Sequence, residues 1–514
     1  MKKNIFLLLG LIVFIGACDV SYEGNPNAPE IAPTFSIFND AVKEMVDDTR
    51  DDWFHGRFTV ATMQYWAQTE YTEEDRYQYR ESMRETWEDL FINLENFKQV
   101  IELNTDESTA GEMSKYGANV NQIAASRIMI AWSFNIMADT WGDIPYWSYS
   151  TEDADFEGLR IGEDVLKPKY APQSKIYPDL LKQLKEASDM IDLSKPVFTT
   201  GDPIYGGDAA SWKKFANSLR LRIATKIKAV HPDATTHISG AIADGVFTSN
   251  ADNAVLTYEA NQTNASPMQA AFETRFDFAV SNSFMEVLTG VTGVFGADPR
   301  VSVYAQENQF GDYVGVPNGV ENSTSVAFKW ESLPAVSIIG KTASTPTNWT
   351  AGTEVLMSFA EVSFLECEAN NWAQADYETA VTASMEQWGV PSADITTFVG
   401  SLPAASMANV MNQKYVALYM DGHTAWTEYR RTGYPNTLTM PGDSYTMNVD
   451  TDGEGTITTF NYTFESLIDD VTDIPFRMEY PGQESTLNGE NYKVAVAALS
   501  NGNKLTSKLW WDVN

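Results

Sequence analysis

Cysteine and histidine are scarce in this chain of 514 residues, which has 2 cysteines and 4 histidines. Cys18 and Cys367 cannot form a disulfide framework, and a chain of this length can bury a core without one. None of the histidines has the paired spacing of a zinc enzyme; they are His55, His231, His237 and His423. We therefore expect the fold to depend on packing and exclude zinc chemistry of that type.

Basic residues are also few, since 35 lysines and arginines face 70 aspartates and glutamates and give a net charge of −35. Such a surface repels phosphate backbones, which excludes nucleic acid as a partner. A neutral or cationic ligand remains compatible with this charge.

Common catalytic motifs are missing as well. The sequence has no G-x-S-x-G, H-E-x-x-H, C-x-x-C or G-x-x-x-x-G-K pattern. A glycosidase needs only two carboxylates at a set separation, and the many acidic residues neither support nor exclude such a pair. We predict a protein that is not an enzyme.

Long apolar runs are confined to the N-terminus, where Lys2 and Lys3 precede an apolar stretch over residues 5–17. This stretch is too short to span a bilayer and has the layout of a secretory signal. It ends in Ile15-Gly16-Ala17-Cys18, and small residues before a cysteine are typical of a bacterial lipobox. We predict a lipoprotein signal peptide over 1–17 and lipidation of Cys18. The alternative is an ordinary signal with a cysteine there by chance.

After Cys18, residues 18–35 are rich in proline, glycine and polar residues, which predicts an extended lipidated tether. Apolar residues at three- and four-residue steps then predict helices over 83–103, 119–138, 173–192 and 210–229. Further helices are predicted over 353–372, 376–388 and 404–420, and a β-type run lies at 255–258. The fold class is therefore mainly α, with one domain over 36–514. Its helical scaffold covers about 36–245 and 353–435, and a loop-rich lobe covers about 246–352 and 436–514.

Several sequence motifs occur in an order that resembles one family, the SusD/RagB-type outer-membrane lipoproteins. The similarity is closest to the subgroup with Arg-Arg-Thr-Gly, here residues 430–433. The motifs run from the region after the tether to the C-terminus: Asp139–Tyr146, Pro168–Tyr170, Asp202–Tyr205 with Trp212, Asp298–Arg300, Tyr313–Gly319, Ala360–Val362, Tyr429–Pro435 and Trp510–Asp512.

The resemblance implies a cell-surface lipoprotein of the outer membrane, with tetratricopeptide-like helix pairs packed against a variable ligand lobe. It also implies a partner, a SusC-like TonB-dependent transporter that the lipoprotein covers as a lid. Members of the family bind nutrients, mostly glycans and sometimes peptides, and do not transform them.

Aromatic residues are abundant, with 14 Trp, 23 Tyr and 26 Phe. Sugars present C–H faces that stack on such rings and hydroxyls that pair with planar polar groups. Two segments combine both kinds of residue, 53–79 and 275–278, and two tryptophans lie outside any periodic run. The resemblance places ligands where an early helix–loop meets a central loop. The predicted ligand-binding residues are Trp330, Trp349, Phe276, Phe278, Arg275, Asp277, Trp66, Tyr71, Arg57 and Asp75. The alternative is that Trp53, Tyr65 and Trp66 belong to the core.

These residues predict capture of an oligo- or polysaccharide, with a neutral glucan favoured because an acidic protein repels a polyuronate. Capture of a peptide through the same fold and import system remains the alternative. A structural surface protein without a ligand would be a third possibility.

A weak calcium hypothesis arises near the C-terminus, where Asn448, Asp450, Asp452 and Glu454 imitate the start of a calcium loop. Thr459 stands where such a loop carries a bidentate glutamate, and an acidic turn is the alternative. No other cofactor is predicted.

Two further expectations concern the arginines of the Arg-Arg-Thr-Gly motif and the second cysteine. Arg430 and Arg431 are expected to pair with buried carboxylates such as Glu361 or Glu366 where helices cross. Cys367 follows an apolar helical face and is expected to be a small buried residue.

Overall fold

The structure is a computed structural model that describes residues 31–80, 83–325, 328, 331–450 and 454–514. The predicted signal peptide, the lipidation site Cys18 and most of the tether lie outside these residues, as do Trp330 and Asp452. The first helix begins at Thr34 and so includes the last two residues of the predicted tether.

Helices dominate the described chain, which confirms the mainly α fold. The α-helices are α1 Thr34–Arg50, α2 Met83–Thr105, α3 Ala110–Met113, α4 Asn119–Trp141, α5 Gln173–Met190, α6 Ala209–Lys226, α7 Ala234–Asp244, α8 Pro267–Ala271, α9 Asn282–Leu288, α10 Val301–Tyr304, α11 Asn322–Ser325, α12 Val336–Ile339, α13 Phe359–Ala369, α14 Gln374–Gln387, α15 Ser392–Val399, α16 Met407–Ala417, α17 Gly422–Thr432, α18 Glu484–Leu487 and α19 Gly489–Ala498. A π-helix spans Asp52–Val60, and short 3-10 turns lie at Glu74–Arg76, Ser114–Tyr116, Ile161–Glu163 and Asn250–Asp252.

Helices that follow one another in the chain pack side by side, from α1 and α2 through α4, α5, α6 and α7. The pair α13 and α14 repeats this arrangement later in the chain. The central member is α4, whose residues from Asn121 to Trp141 are all buried because the helix is apolar on nearly every face. Gly142 follows it with a φ of 105°, a value that favours glycine, and ends the helix.

The strands form three separate antiparallel pairs, so sheets contribute little to the core. Strand β1 (Trp66–Gln68) pairs with β3 (Phe278–Val280), and β2 (Ala254–Thr257) pairs with β4 (Thr353–Met357). The third pair is the hairpin of β5 (Ser444–Asp450) and β6 (Ile457–Thr463). Within the described ranges, no helix is both long and apolar enough to cross a membrane.

The structure corrects the prediction of a helix from residue 353. Residues 353–357 are strand β4, and α13 begins only at Phe359 because the Ser358 side chain caps it by accepting a hydrogen bond from the Glu361 N–H. The β-branched Thr353 and Val355 favour the strand over the first turn of a helix.

The expected arginine pairs are also partly wrong. Arg431 donates to Glu368 at 2.8 and 2.6 Å, and Glu361 instead accepts from Arg222. Arg430 donates to the backbone carbonyl oxygens of Asp139 and Phe476, both at 2.8 Å. Cys367 is fully buried, as expected.

Candidate functional site

The two segments chosen from the sequence meet in space. Strands β1 and β3 form an antiparallel ladder in which Gln68 lies opposite Phe278. The ladder continues past the strands, since the Thr69 N–H donates to the Asp277 carbonyl oxygen at 2.8 Å and its hydroxyl donates to the Phe276 carbonyl oxygen at 2.6 Å. The segment around Tyr71 and the segment 275–278 therefore form one surface, which we call the platform: Trp53, Tyr71, Arg275, Phe276 and Asp277.

Asp277 anchors the platform through two arginines. Arg275 donates to its carboxylate through Nε at 2.9 Å and through a terminal nitrogen at 2.6 Å, and the buried Arg57 donates to it at 2.8 Å. Such bidentate, charge-assisted bonds fix orientation as well as adding energy. The guanidinium of Arg275 is thereby held in place at the surface, where 47% of its side chain is exposed.

Tyr71 is the exposed ring of the platform, with 45% of its surface accessible. The Arg275 guanidinium lies 4.8 Å from the centre of its ring. The backbone of Tyr71 has a φ of 59°, a left-handed conformation that residues other than glycine rarely adopt. The Tyr71 N–H donates to the Asn322 side-chain oxygen at 2.7 Å, which stabilises this conformation. Exposed residues held in such conformations are concentrated at ligand sites.

The π-helix supplies the half-buried Trp53. Asp51 caps this helix by accepting from the Trp53 and Phe54 N–H groups, and its backbone oxygen accepts from the Gly56 N–H with the five-residue spacing of a π-turn. The Trp53 ring lies 4.8 Å from the Arg57 guanidinium. Gly56 allows this helix to approach β3, because a Cβ there would lie 3.3 Å from the Phe278 ring.

The segment that precedes the platform residue Arg275 packs against a loop that contains Trp349. The Lys341 ammonium lies 4.5 Å from the centre of the half-buried Phe276 ring and donates to the backbone oxygens of Phe272 and Glu273. Trp349 is half-buried, and its neighbour Thr350 is fixed by hydrogen bonds with Gln269. The loop of Trp349 thus lies against the segment that leads into Arg275.

Three predicted ligand residues are buried, and their assignment to a ligand surface is wrong in this structure. Trp66 is fully buried because its indole N–H donates to the Tyr419 hydroxyl oxygen at 2.9 Å and its ring packs on Phe272 and Phe278. Phe278 is buried with it. Asp75 is also buried; it accepts from the Gln68 N–H, and burial raises its pKa to about 7.

Arg57 has a different role from the predicted one. It is buried and donates a hydrogen bond to the Asp277 carboxylate. It therefore positions the platform and does not offer donors to a ligand. Trp330 cannot be placed, since it lies outside the described residues.

Trp53 and Asn322 are not among the predicted ligand residues. Helical spacing made the core the alternative position for Trp53, and the structure places its side chain half-buried near the start of the π-helix. No sequence signal marks Asn322, which contacts Tyr71 from a position 251 residues along the chain.

The suggested calcium loop lies at the turn of the β5–β6 hairpin. Asn448 accepts a hydrogen bond from the Thr459 hydroxyl at 3.0 Å, and Asp450 accepts one from the Gly455 N–H at 2.7 Å. Among the described residues no cluster of three potential metal ligands exists, and Asp452 lies outside them. Calcium binding through Asn448, Asp450, Asp452 and Glu454 stays a prediction.

The described residues thus form a mainly helical protein that carries a surface of aromatic and charged groups beside the β1–β3 ladder. The family model described as "Starch-binding associating with outer membrane" matches residues 26–481. The chain therefore belongs to the SusD-like family, as its motifs indicated. The narrower Arg-Arg-Thr-Gly subgroup stays a prediction.

Solved structures of the family share the fold. A SusD homologue from Parabacteroides distasonis superposes with a TM-score of 0.73 at 20% identity, covering 94% of this chain and 98% of that one. A SusD homologue from Bacteroides uniformis gives a TM-score of 0.72 at 21% identity, with 94% and 99% covered. A chitin-binding SusD homologue from Flavobacterium johnsoniae gives 0.69 at 21% identity, with 94% and 98% covered. No curated protein matches the sequence.

Proposed function

We propose that this protein captures an oligo- or polysaccharide at the cell surface through the platform and delivers it to a SusC-like TonB-dependent transporter. The observation that supports this most directly is the exposed Tyr71 ring, held in a left-handed backbone conformation with the Arg275 guanidinium beside it. A ring fixed in this way is a preformed stacking surface, and Arg275 lies where it can donate to sugar hydroxyls. A binding role without catalysis is part of the proposal.

A neutral glycan fits the platform better than an acidic one. The net charge of −35 opposes the approach of a polyanion. At the platform, Arg57 and Arg275 are already paired with Asp277, so no cluster of free arginines is built there to offset that repulsion. The family description names starch, and one structural relative is described as chitin-binding; both are uncharged polymers. We favour a neutral glucan.

Two tyrosine variants test the platform, because Tyr71 and a second tyrosine have similar surroundings. Tyr149 is also exposed, at 37%, and also has an arginine beside its ring, with Arg127 at 4.6 Å. Tyr71→Ala is expected to weaken glycan binding by roughly two- to tenfold, since an aromatic contact contributes about 0.5–1.5 kcal/mol and about 1.4 kcal/mol is tenfold. Tyr149→Ala is expected to leave binding unchanged.

Calorimetry with maltooligosaccharides, chitooligosaccharides, a polyuronate and short peptides provides the measurement. Binding to peptides alone would favour the peptide-capturing alternative and refute the glycan proposal. Equal losses in both tyrosine variants would refute the assignment to the platform.

Membrane attachment and the transporter are further parts of the proposal, and they rest on the lipobox at Cys18 and on family membership. Mild detergent extraction from the native host is expected to yield a complex with a large barrel protein. Recovery of the free protein alone under those conditions would contradict delivery to a transporter.

A further inference from the structure

A large cavity lies apart from the platform residues. Its volume is about 1080 Å³, which is at the upper end of the range for small-molecule sites. It is enclosed by strand β4, helices α10 and α12, the C-terminal end of α14 and the turn 417–421 after α16. No residue of the platform lines it.

The charged side chains described in the lining of this cavity are all acidic. Four carboxylates line it, those of Glu307, Glu354, Glu386 and Asp421. Among the described residues that line it, none is lysine, arginine or histidine. Acidic residues alone do not make a site, but they determine which ligands could enter.

Beyond the acidic lining, the surroundings of Glu354 are a second observation. It lies on β4 opposite Leu256 and is only 5% exposed. The nearest cation is Arg50, whose Nε is 4.0 Å from the carboxylate, too far for a hydrogen bond. Arg50 instead donates to the Val355 carbonyl oxygen at 3.3 Å and to Asp421 at 3.2 Å.

In the described part of the chain, therefore, no group donates a hydrogen bond to the Glu354 carboxylate. Buried polar groups normally have such partners, and an unpaired one is costly. Burial raises the pKa of Glu354 to about 7, with Arg50 lowering it and Asp47 and Asp421 raising it. The carboxylate thus has one cation at 4.0 Å and no hydrogen-bond donor among the described residues.

Aromatic residues also line this cavity, among them Trp388 and Tyr419. Trp388 packs edge-on against Tyr304 with ring centres 4.8 Å apart, and Tyr419 lies 5.9 Å from Trp388. Aromatic faces attract cations, and the ring of a sugar or an aliphatic chain can also pack on them.

We propose that this cavity is a second binding site, which takes a small organic cation whose protonated amine pairs with Glu354. The ammonium group supplies a positive charge and the hydrogen-bond donors that the carboxylate lacks, and the aromatic residues of the lining contact the rest of the ligand. This site is independent of the platform and of the glycan that the platform is proposed to bind.

Calorimetry on the full chain at neutral pH tests the proposal with three probes. Glucosamine carries a protonated amine on a sugar ring, glucose is the same ring without the amine, and putrescine carries amines without a ring. Glucosamine, putrescine or both are expected to bind, whereas glucose does not bind in the cavity. If neither amine binds more tightly than glucose, the proposal is overturned.

Glu354→Gln keeps the shape of the side chain and removes its charge, and it is expected to weaken amine binding by about tenfold or more. Glu490→Gln, at a glutamate whose side chain is 92% exposed, is the matched control and is expected to change nothing. Undiminished amine binding by folded Glu354→Gln would overturn the proposal.

A second variant keeps the test decisive if Glu354→Gln does not fold. Ser337 is exposed on α12 and lines the cavity, so Ser337→Trp fills space there without removing a buried contact. Circular dichroism and thermal unfolding verify the fold of each variant. Ser337→Trp is expected to weaken amine binding, and full retention in a folded Ser337→Trp variant would place the amine elsewhere.

Discussion

Replacing Glu428 by glutamine is expected to destabilise the fold by about 3–5 kcal/mol, the usual cost of removing one partner from a buried ion pair. Glu428 lies on α17, buried, with its carboxylate 2.7 Å from Arg431 and 3.2 Å from Lys414. Glu368 is the other buried acid of this cluster; it pairs with Arg431 and with Lys228. Three basic groups thus face two carboxylates. In Glu428→Gln only the carboxylate of Glu368 would remain to pair with them.

The pKa of Glu428 expresses the same contacts as a second magnitude. Burial alone would raise it, but Arg431 and Lys414 lower it from 4.5 to about 2. A shift of one unit corresponds to 1.36 kcal/mol, so the charged form contributes about 3 kcal/mol to stability at neutral pH. This agrees with the lower end of the range expected for the variant.

The same shift predicts a pH dependence. Because the folded-state pKa is depressed, the contribution is present above the unfolded pKa near 4.5 and is lost as the pH falls toward about 2. The difference in unfolding free energy between the native protein and Glu428→Gln should therefore be largest at neutral pH and shrink below pH 4.5. Urea denaturation over a pH series measures it.

The matched control is Glu490→Gln. Glu490 also has a basic residue three positions later, Lys493 at 2.8 Å, but both side chains are exposed. Exposed pairs contribute about 0–1 kcal/mol, so this variant should remain close to the native protein. Similar losses in both variants, or a Glu428→Gln difference that does not change between pH 7 and 3, would refute the reasoning.

Three further predictions concern the anchor, the platform and the core. Cys18→Ala is expected to move the protein from the membrane to the soluble fraction with unchanged thermal unfolding; membrane retention in a strain without the transporter would contradict lipidation. Asp277→Asn removes a charged acceptor from Arg275 and Arg57 and is therefore expected to weaken glycan binding. Chemical denaturation should show a loss of about 1–3 kcal/mol in unfolding free energy. Undiminished glycan affinity would contradict the anchoring role of Asp277. Lys226→Met is expected to cost about 3–5 kcal/mol, since it leaves Asp139 buried without its ion pair, and a variant of native stability would refute this.

The helical scaffold could be predicted because periodicity is a local property. The helix patterns over 119–138 and 173–192 correspond to α4 and α5 within a few residues at each end. The error at 353–357 arose because a short strand beside a helix has no period of its own, and β4 forms only through its pairing with β2.

The residue types of the candidate site could be predicted from the sequence. Which of its side chains are exposed could not. The segments 53–79 and 275–278 were chosen for their mix of rings and polar groups, and the β1–β3 ladder brings them together. Which rings face solvent depends on tertiary packing. Trp66 and Phe278 pack on each other in the core, whereas Tyr71, in a left-handed backbone conformation three residues after β1, is exposed.

The distribution of aromatic residues limits how tightly a single platform can bind. In the described ranges the exposed rings are Tyr71, Tyr149 and Phe310, because most of the aromatic surplus lies in the core. At the platform, Trp53 and Phe276 add half-buried faces to Tyr71. Three rings at about 1 kcal/mol each contribute about 3 kcal/mol, so a short oligosaccharide is expected to bind weakly, with a dissociation constant in the millimolar range. A polymer with repeated binding units can engage many anchored copies at once, and such multivalency raises avidity by about 10²–10⁴ without new contacts. A surface-anchored protein with a modest platform would therefore retain a long chain and release short fragments readily, which is the behaviour that delivery to a transporter requires.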